Sequence, residues 1–193
     1  MIRLAAPLAL LSLLAAPASA QQPSGGGLSA LRGHNSNAPI DISSDRIEVQ
    51  DRADRAIWVG HVHSVQGDMT MDADRMTVAY QKAAAGADPQ IQRIDASGNV
   101  VVVSPSERAR GNFGIYDLNK KLITLIGGVA LTRGTNTVNG ARLVIDLTTG
   151  KATVDGSAVG GAAGTSSSGG RVTGHFTVPQ RAAPATPGAT PPR

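Results

Sequence analysis

Cysteine is absent from this sequence. An exported protein may carry disulfides without needing them, so the fold is held by sheet hydrogen bonds and burial alone. Aromatic residues are scarce, with one Trp, two Tyr and two Phe in 193 residues. Acidic residues stop at Asp155, and from residue 38 to residue 156 there are 13 Lys plus Arg against 14 Asp plus Glu. The net charge of +4 therefore sits in the flanks, on Arg32, Arg171, Arg181 and Arg193. A nucleic-acid module concentrates base on its folded surface and interleaves aromatics for stacking, so no nucleic-acid partner is expected. No stretch sustains a helical period with caps. No Ser-His-Asp arrangement, glycine-rich phosphate loop or nucleophile elbow is present, so no catalytic residue, no cofactor and no enzyme are expected.

What is present begins with an address. Arg3 gives a positive n-region, Leu4 to Ala16 a short apolar run, and Ala18-Ser19-Ala20 a small-residue cleavage site. The run falls short of the roughly 20 residues that cross a membrane. A signal peptide at 1–20 is expected, with a mature chain of 173 residues (193 less 20) starting at Gln21. Residues 21–37, rich in Gly, Ser and Asn, read as a flexible leader. Residues 38–156 carry strand signals almost without a break. Residues 157–170 form a Gly/Ala/Ser linker, 171–178 one more alternating run, and 179–193 a Pro/Ala tail too poor in apolar residues to build a core.

An internal repeat organises the strand-rich region. Gly-x-Val recurs at Gly60, Gly98 and Gly127, with a degenerate copy at Gly156, at intervals of 38, 29 and 29 residues. A loop-like insertion at 82–90 accounts for the long interval. An earlier signature, Asp45-Arg46, Asp74-Arg75 and Ala141-Arg142, places its arginine 14, 23 and 14 residues before the glycine, the same insertion accounting for the middle value; the third unit fits less well, with Phe113 for the arginine and Gly114 for the apolar residue. Side-chain parity gives the repeat a shape. Met69, Met71 and Ala73 share one strand face, but the apolar set continues as Met76, Val78 and Tyr80 only if one residue is skipped. Such a frame change marks a bulge or corner, around which one apolar interior continues. The expected architecture is all-β: stacked, bent antiparallel strands of roughly five to eight residues.

The inward face so defined comprises Ile40, Ile42, Ile47, Val49, Trp58, Val62, Met69, Met71, Met76, Val78, Ile94, Val100, Leu125, Val129, Leu131, Leu143 and Ile145. Alternation fits a dry core and an apolar trough equally. Arg46, Arg75 and Arg142 occupy equivalent positions and are candidates for phosphate contact, or for pairing with Asp45, Asp74 and Asp146 on a solvated face. His61 and His63, at i and i+2, lack the further ligands a zinc site needs, and Asp68, Asp72 and Asp74 lack the pattern of a calcium loop; no metal is expected.

Residues 38–45 (APIDISSD), 58–62 (WVGHV), 66–74 (QGDMTMDAD), 96–100 (ASGNV) and 125–129 (LIGGV) resemble the OstA-like family, nearest its periplasmic bridge proteins of lipopolysaccharide export. The resemblance spans about 38–156 and the run at 171–178. It implies a twisted β-jelly roll, open as a V-shaped groove, in which the inward face binds lipid A acyl chains. It also implies a periplasmic location, head-to-tail homo-oligomers, and contact with related jelly-roll domains of inner- and outer-membrane export components. The apparent cleavage site points away from the membrane-anchored relative, and the length away from the barrel-bearing one. The alternative reading is a non-catalytic structural β-repeat module that binds protein through its edges.

Overall fold

The computed structural model describes residues 31, 33–82, 89–157 and 170–177. The expected signal peptide, most of the leader, the centre of the insertion, most of the linker, Val178 and the tail lie outside the described residues. Among the described residues ten strands form one antiparallel sheet: β1 (Ile40–Ser43), β2 (Arg46–Gln50), β3 (Arg55–Gln66), β4 (Met69–Gln81), β5 (Gln90–Val103), β6 (Arg108–Asp117), β7 (Leu122–Arg133), β8 (Asn136–Asp146), β9 (Lys151–Asp155) and β10 (Thr173–His175). One 3₁₀ turn, Asp51–Ala53, separates β2 from β3. From β3 to β8 every strand pairs with its chain neighbours. The sheet does not close: β1 and β2 both pair with β3 at one edge, and β9 and β10 both pair with β8 at the other.

The six central strands run 10 to 14 residues, longer than the alternating segments suggest. The reason is that two segments flanking a small residue make one strand, bent in the middle. Register shifts at Val59/Val62, Asp72/Arg75, Ser97/Val100, Arg110/Phe113 and Ile126/Val129 fall in a line across the sheet. On that line β3, β5 and β7 carry Gly60-His61, Gly98-Asn99 and Gly127-Gly128, all with φ between +46° and +84°. Two successive left-handed residues turn the strand and leave an extra residue against the partner. The parity change therefore falls on β4, β6 and β8. β1 and β2 are the two halves of one more such strand, broken at Ser44-Asp45, and β9 and β10 occupy the matching places at the far edge.

The bend converts one sheet into two facing half-sheets. One inward row reads Ile47, Trp58, Met76, Ala96, Gly114, Leu125, Leu143, Val154 from edge to edge. The facing half-sheet contributes Ile42, Ser64, Met71, Val102, Ala109, Leu131, Val138 and Gly174. Side chains of both rows share one core, with Met76, Ile123, Leu125 and Leu143 fully buried at its centre. The third unit is regular after all. Phe113 lies in the same outward row as Arg46, Arg75 and Arg142, and Gly114 faces inward, where a Cβ would sit 2.9 Å from Val100 Cγ1.

Candidate functional site: the apolar interior and its mouth

All seventeen inward positions lie on the interior faces of the two half-sheets, but their exposure depends on where they stand. Those on β4, β5, β7 and β8, with Val62, are buried, and Ile40, Ile42 and Trp58 are half-buried against them. Ile47 and Val49, 53% and 59% exposed, share the face yet stand on edge strand β2, with no strand beyond them among the described residues. At the other edge Val172 and Phe176, flanking β10, are 44% and 56% exposed. Between the half-sheets a cavity of about 10 Å³ remains, walled by Ile40, Ser64, Gln66, Met69, Met71, Ile94 and Tyr116. That is close to the space of one water probe, so the centre is filled.

Away from the bend, the strand ends form a mouth, and the chain itself lies across it. Ahead of β1, Leu31 is 4% exposed and His34 8% exposed, both tied to the sheet. Leu31 packs among Val102, Ala109, Leu131 and Ile145, touching both half-sheets, and its backbone N–H donates to Glu107 Oε2 at 2.9 Å. His34 lies with Nε2 3.1 Å from Gln66 Oε1 and Nδ1 3.1 Å from Asp68 Oδ1. The Gln66 amide donates to the Ser36 and Ala38 carbonyls, 3.0 Å each. Burial pushes the Tyr116 phenol up to about 12, so it stays protonated and donates to Gln66 Oε1 at 2.9 Å. Gln66 thus joins the two half-sheets and the strap over them. Glu107, 6% exposed, has its carboxyl raised above the usual range by desolvation, partly offset by the Leu31 N–H and by Arg133 3.7 Å away. Leu31, Glu107 and Tyr116 escaped the sequence reading. Tyr116 was recoverable from the frame change at Asn112-Phe113, whereas one leucine among polar residues gives no period to read.

Arg46, Arg75 and Arg142 occupy equivalent places in the structure as they do in the repeat. They stand in the outward row, on the opposite side from Ile47, Met76 and Leu143, and so cannot line the interior. Among the described residues none of them forms an ion pair, and the aspartates have other partners. Asp45 accepts from His61 Nδ1 at 2.8 Å and Asp74 from Asn99 Nδ2 at 3.0 Å, so both carboxylates brace the bend. The Asp146 carboxyl, held below the usual range chiefly by the Thr149 backbone N–H, closes the β8–β9 turn. His63 pairs with Asp72, and no group of described residues could hold a metal. A second concavity, about 310 Å³, lies on the outer face by Asn99, Arg108, Arg110 and Asn112; its polar lining does not suit acyl chains.

The family model described as LptA/(LptD N-terminal domain) LPS transport protein matches residues 41–151. An uncharacterised protein of Rhizobium meliloti (strain 1021) is 36% identical over 163 residues, covering 80% of this chain and 87% of that one. The LPS-assembly protein LptD of Escherichia coli (strain K12) is 30% identical over 91 residues, which cover 47% of this chain and 11% of LptD. Among solved structures, LptH of Pseudomonas aeruginosa, the LptA-homologous periplasmic component of the conserved lipopolysaccharide transport device, superposes with a TM-score of 0.61 at 17% identity. That superposition covers 74% of this chain and 97% of LptH, and it shows a shared fold.

Proposed function

The chain belongs to the LptA/LptD N-terminal domain family of lipopolysaccharide-transport proteins, and from that membership we propose that it is itself a periplasmic lipopolysaccharide carrier. In this reading the protein is exported, holds lipid A acyl chains between its half-sheets, and bridges the two membranes head to tail. Its neighbours in the bridge would be further copies or related jelly-roll domains of the membrane-bound components. The supporting observation is that the inward apolar face continues to both edges of the sheet and is exposed there, on Ile47 and Val49 on one side and on Val172 and Phe176 on the other. Acyl chains bind by area removed from water and need a continuous apolar surface rather than directional partners. Each edge also offers unpaired backbone groups to another chain. Joining unlike edges is heterologous, so it gives filaments rather than closed dimers.

A photo-crosslinker at Ile42 or Met71 tests the cargo: lipopolysaccharide adducts are expected, and must vanish when the probe is moved to outward Arg75. The filled centre of the interior favours a second reading, a structural module with a permanently closed core. Oligomers without any lipid adduct would establish that reading instead. Light scattering should show oligomers that grow with concentration and shrink when residues 171–193 are removed; a strict monomer for both chains rejects the bridge.

A further inference from the structure

The interior is filled, yet a carrier must open it, and the residues across the mouth differ in kind from those of the core. Leu31 is the one described residue ahead of β1 that enters the core. After it come Gly33, His34, Asn35, Ser36 and Asn37, which belong to no strand and are held mainly by side-chain hydrogen bonds through Gln66 and Asp68. A permanent wall of this fold is made of paired backbone with alternating apolar side chains. This segment has one apolar anchor and no ladder.

The slot that Leu31 fills has aliphatic walls from both half-sheets: Val102, Ala109 and Leu131 on one, Ile145 on the other. With Leu31 in place, the gap these residues border has no room for a water molecule. Its polar rim is Glu107, a carboxylate whose burial disfavours its charge and which the Leu31 N–H partly satisfies. Aliphatic walls suit a hydrocarbon, and a buried carboxylate does not suit an anionic headgroup.

We propose that Leu31 and residues 33–38 form a releasable plug, with Leu31 seated in an acyl-chain slot at the mouth of the trough that the lipid's own chain occupies after displacing it. This rests on the carrier reading and extends it, because it makes the closed interior the resting state of a carrier. Displacement exchanges one aliphatic group for another in the same walls, while the polar remainder of the plug returns to water.

The absence of cysteine gives a clean background for the test. His34→Cys and Asp68→Cys are joined by a short, reducible bis-maleimide, which holds the plug down. Two probes are titrated, dansyl-undecanoic acid and purified lipopolysaccharide. The joined protein should bind both at least tenfold more weakly than the unjoined one and recover on reduction. Leu31→Ser, with Leu31→Asp beside it, should bind the fatty acid several-fold more tightly, with unchanged circular dichroism. Equal binding by joined and unjoined protein overturns the plug. So does unfolding of both Leu31 variants, which makes Leu31 an ordinary core residue. Failure of the carrier reading looks different: lipopolysaccharide then binds to none of the proteins while Leu31→Ser still gains affinity for the fatty acid. If Leu31→Ser gains no affinity for the fatty acid, the slot itself is rejected.

Discussion

The bend and the mouth hold the same two half-sheets together by opposite means. At the bend the connection is covalent and conformational: paired left-handed residues on β3, β5 and β7 face Asp45, Asp74 and Asn112 so closely that a side chain on the first glycine has no room. At the mouth the connection is made of side-chain hydrogen bonds and one leucine. A hydrogen bond exchanged with water contributes on the order of 1 kcal/mol, and many small terms can be undone singly. A backbone conformation cannot be undone without unfolding its strands. The molecule is built as a fixed hinge line with a releasable closure.

The largest test of that contrast is at the bend. Gly98→Ala places a methyl within 2.8 Å of Asp74 Cβ on a backbone at φ +77°, and should cost about 3 kcal/mol of unfolding free energy in urea titration. Gly128→Ala, at φ +57° with nothing within 4 Å, should cost only the conformational part, about 1 kcal/mol. Equal losses would show that the close approach to Asp74 contributes nothing. At the mouth, Gln66→Leu deprives Tyr116, His34 and two strap carbonyls of a partner. Groups that reach water recover, so the loss should be about 2 kcal/mol, with faster hydrogen exchange at Leu31 and no change at the amides of the bend.

Smaller effects separate the two regions by pH. Glu107 at the mouth has its acid form favoured by folding, so its contribution is full at pH values below about 4.5 and is lost as pH rises through the raised value. Glu107→Gln should therefore flatten the stability profile in the acid range. His61 at the bend is raised by its hydrogen bond to Asp45, so its contribution is present below its ordinary value near 6.5 and fades above it. That effect is slight in so exposed a group, and an NMR titration of His61 should return to the ordinary value in Asp45→Asn. The smallest change is Val49→Thr on the open edge: stability should stay within about 0.5 kcal/mol in thermal unfolding while concentration-dependent oligomers diminish.

Much of the bend was legible in the sequence, because a frame change repeated at Ala73, Ser44 and Gly140 is a local pattern of alternate residues. The Gly-x-Val recurrence belonged to the same feature, although its link to the aspartates did not show. Asp45 and Gly60 lie 15 positions apart and meet only across a ladder. The same limit explains the arginines, whose regular spacing and outward parity were visible but whose lack of a pairing aspartate was not. Ile47 and Trp58 are paired on one face, and the first is exposed because β2 is the edge strand among the described residues. The mouth was the least legible part: residues ahead of β1 reach it through contacts such as Leu31 to Glu107, separated by 76 positions.

Because every strand from β3 to β8 pairs with its chain neighbours and crosses both half-sheets, each repeat is a stave that contributes to both walls at once. Duplicating a unit would lengthen the trough without widening it, and deleting one would shorten it without opening a seam. Stability should then accumulate by nearest-neighbour increments, as in a linear array, and loss of structure should start from the outermost staves and travel inward. The length of the apolar interior is thus set by the number of repeats, a quantity that gene duplication changes in single steps.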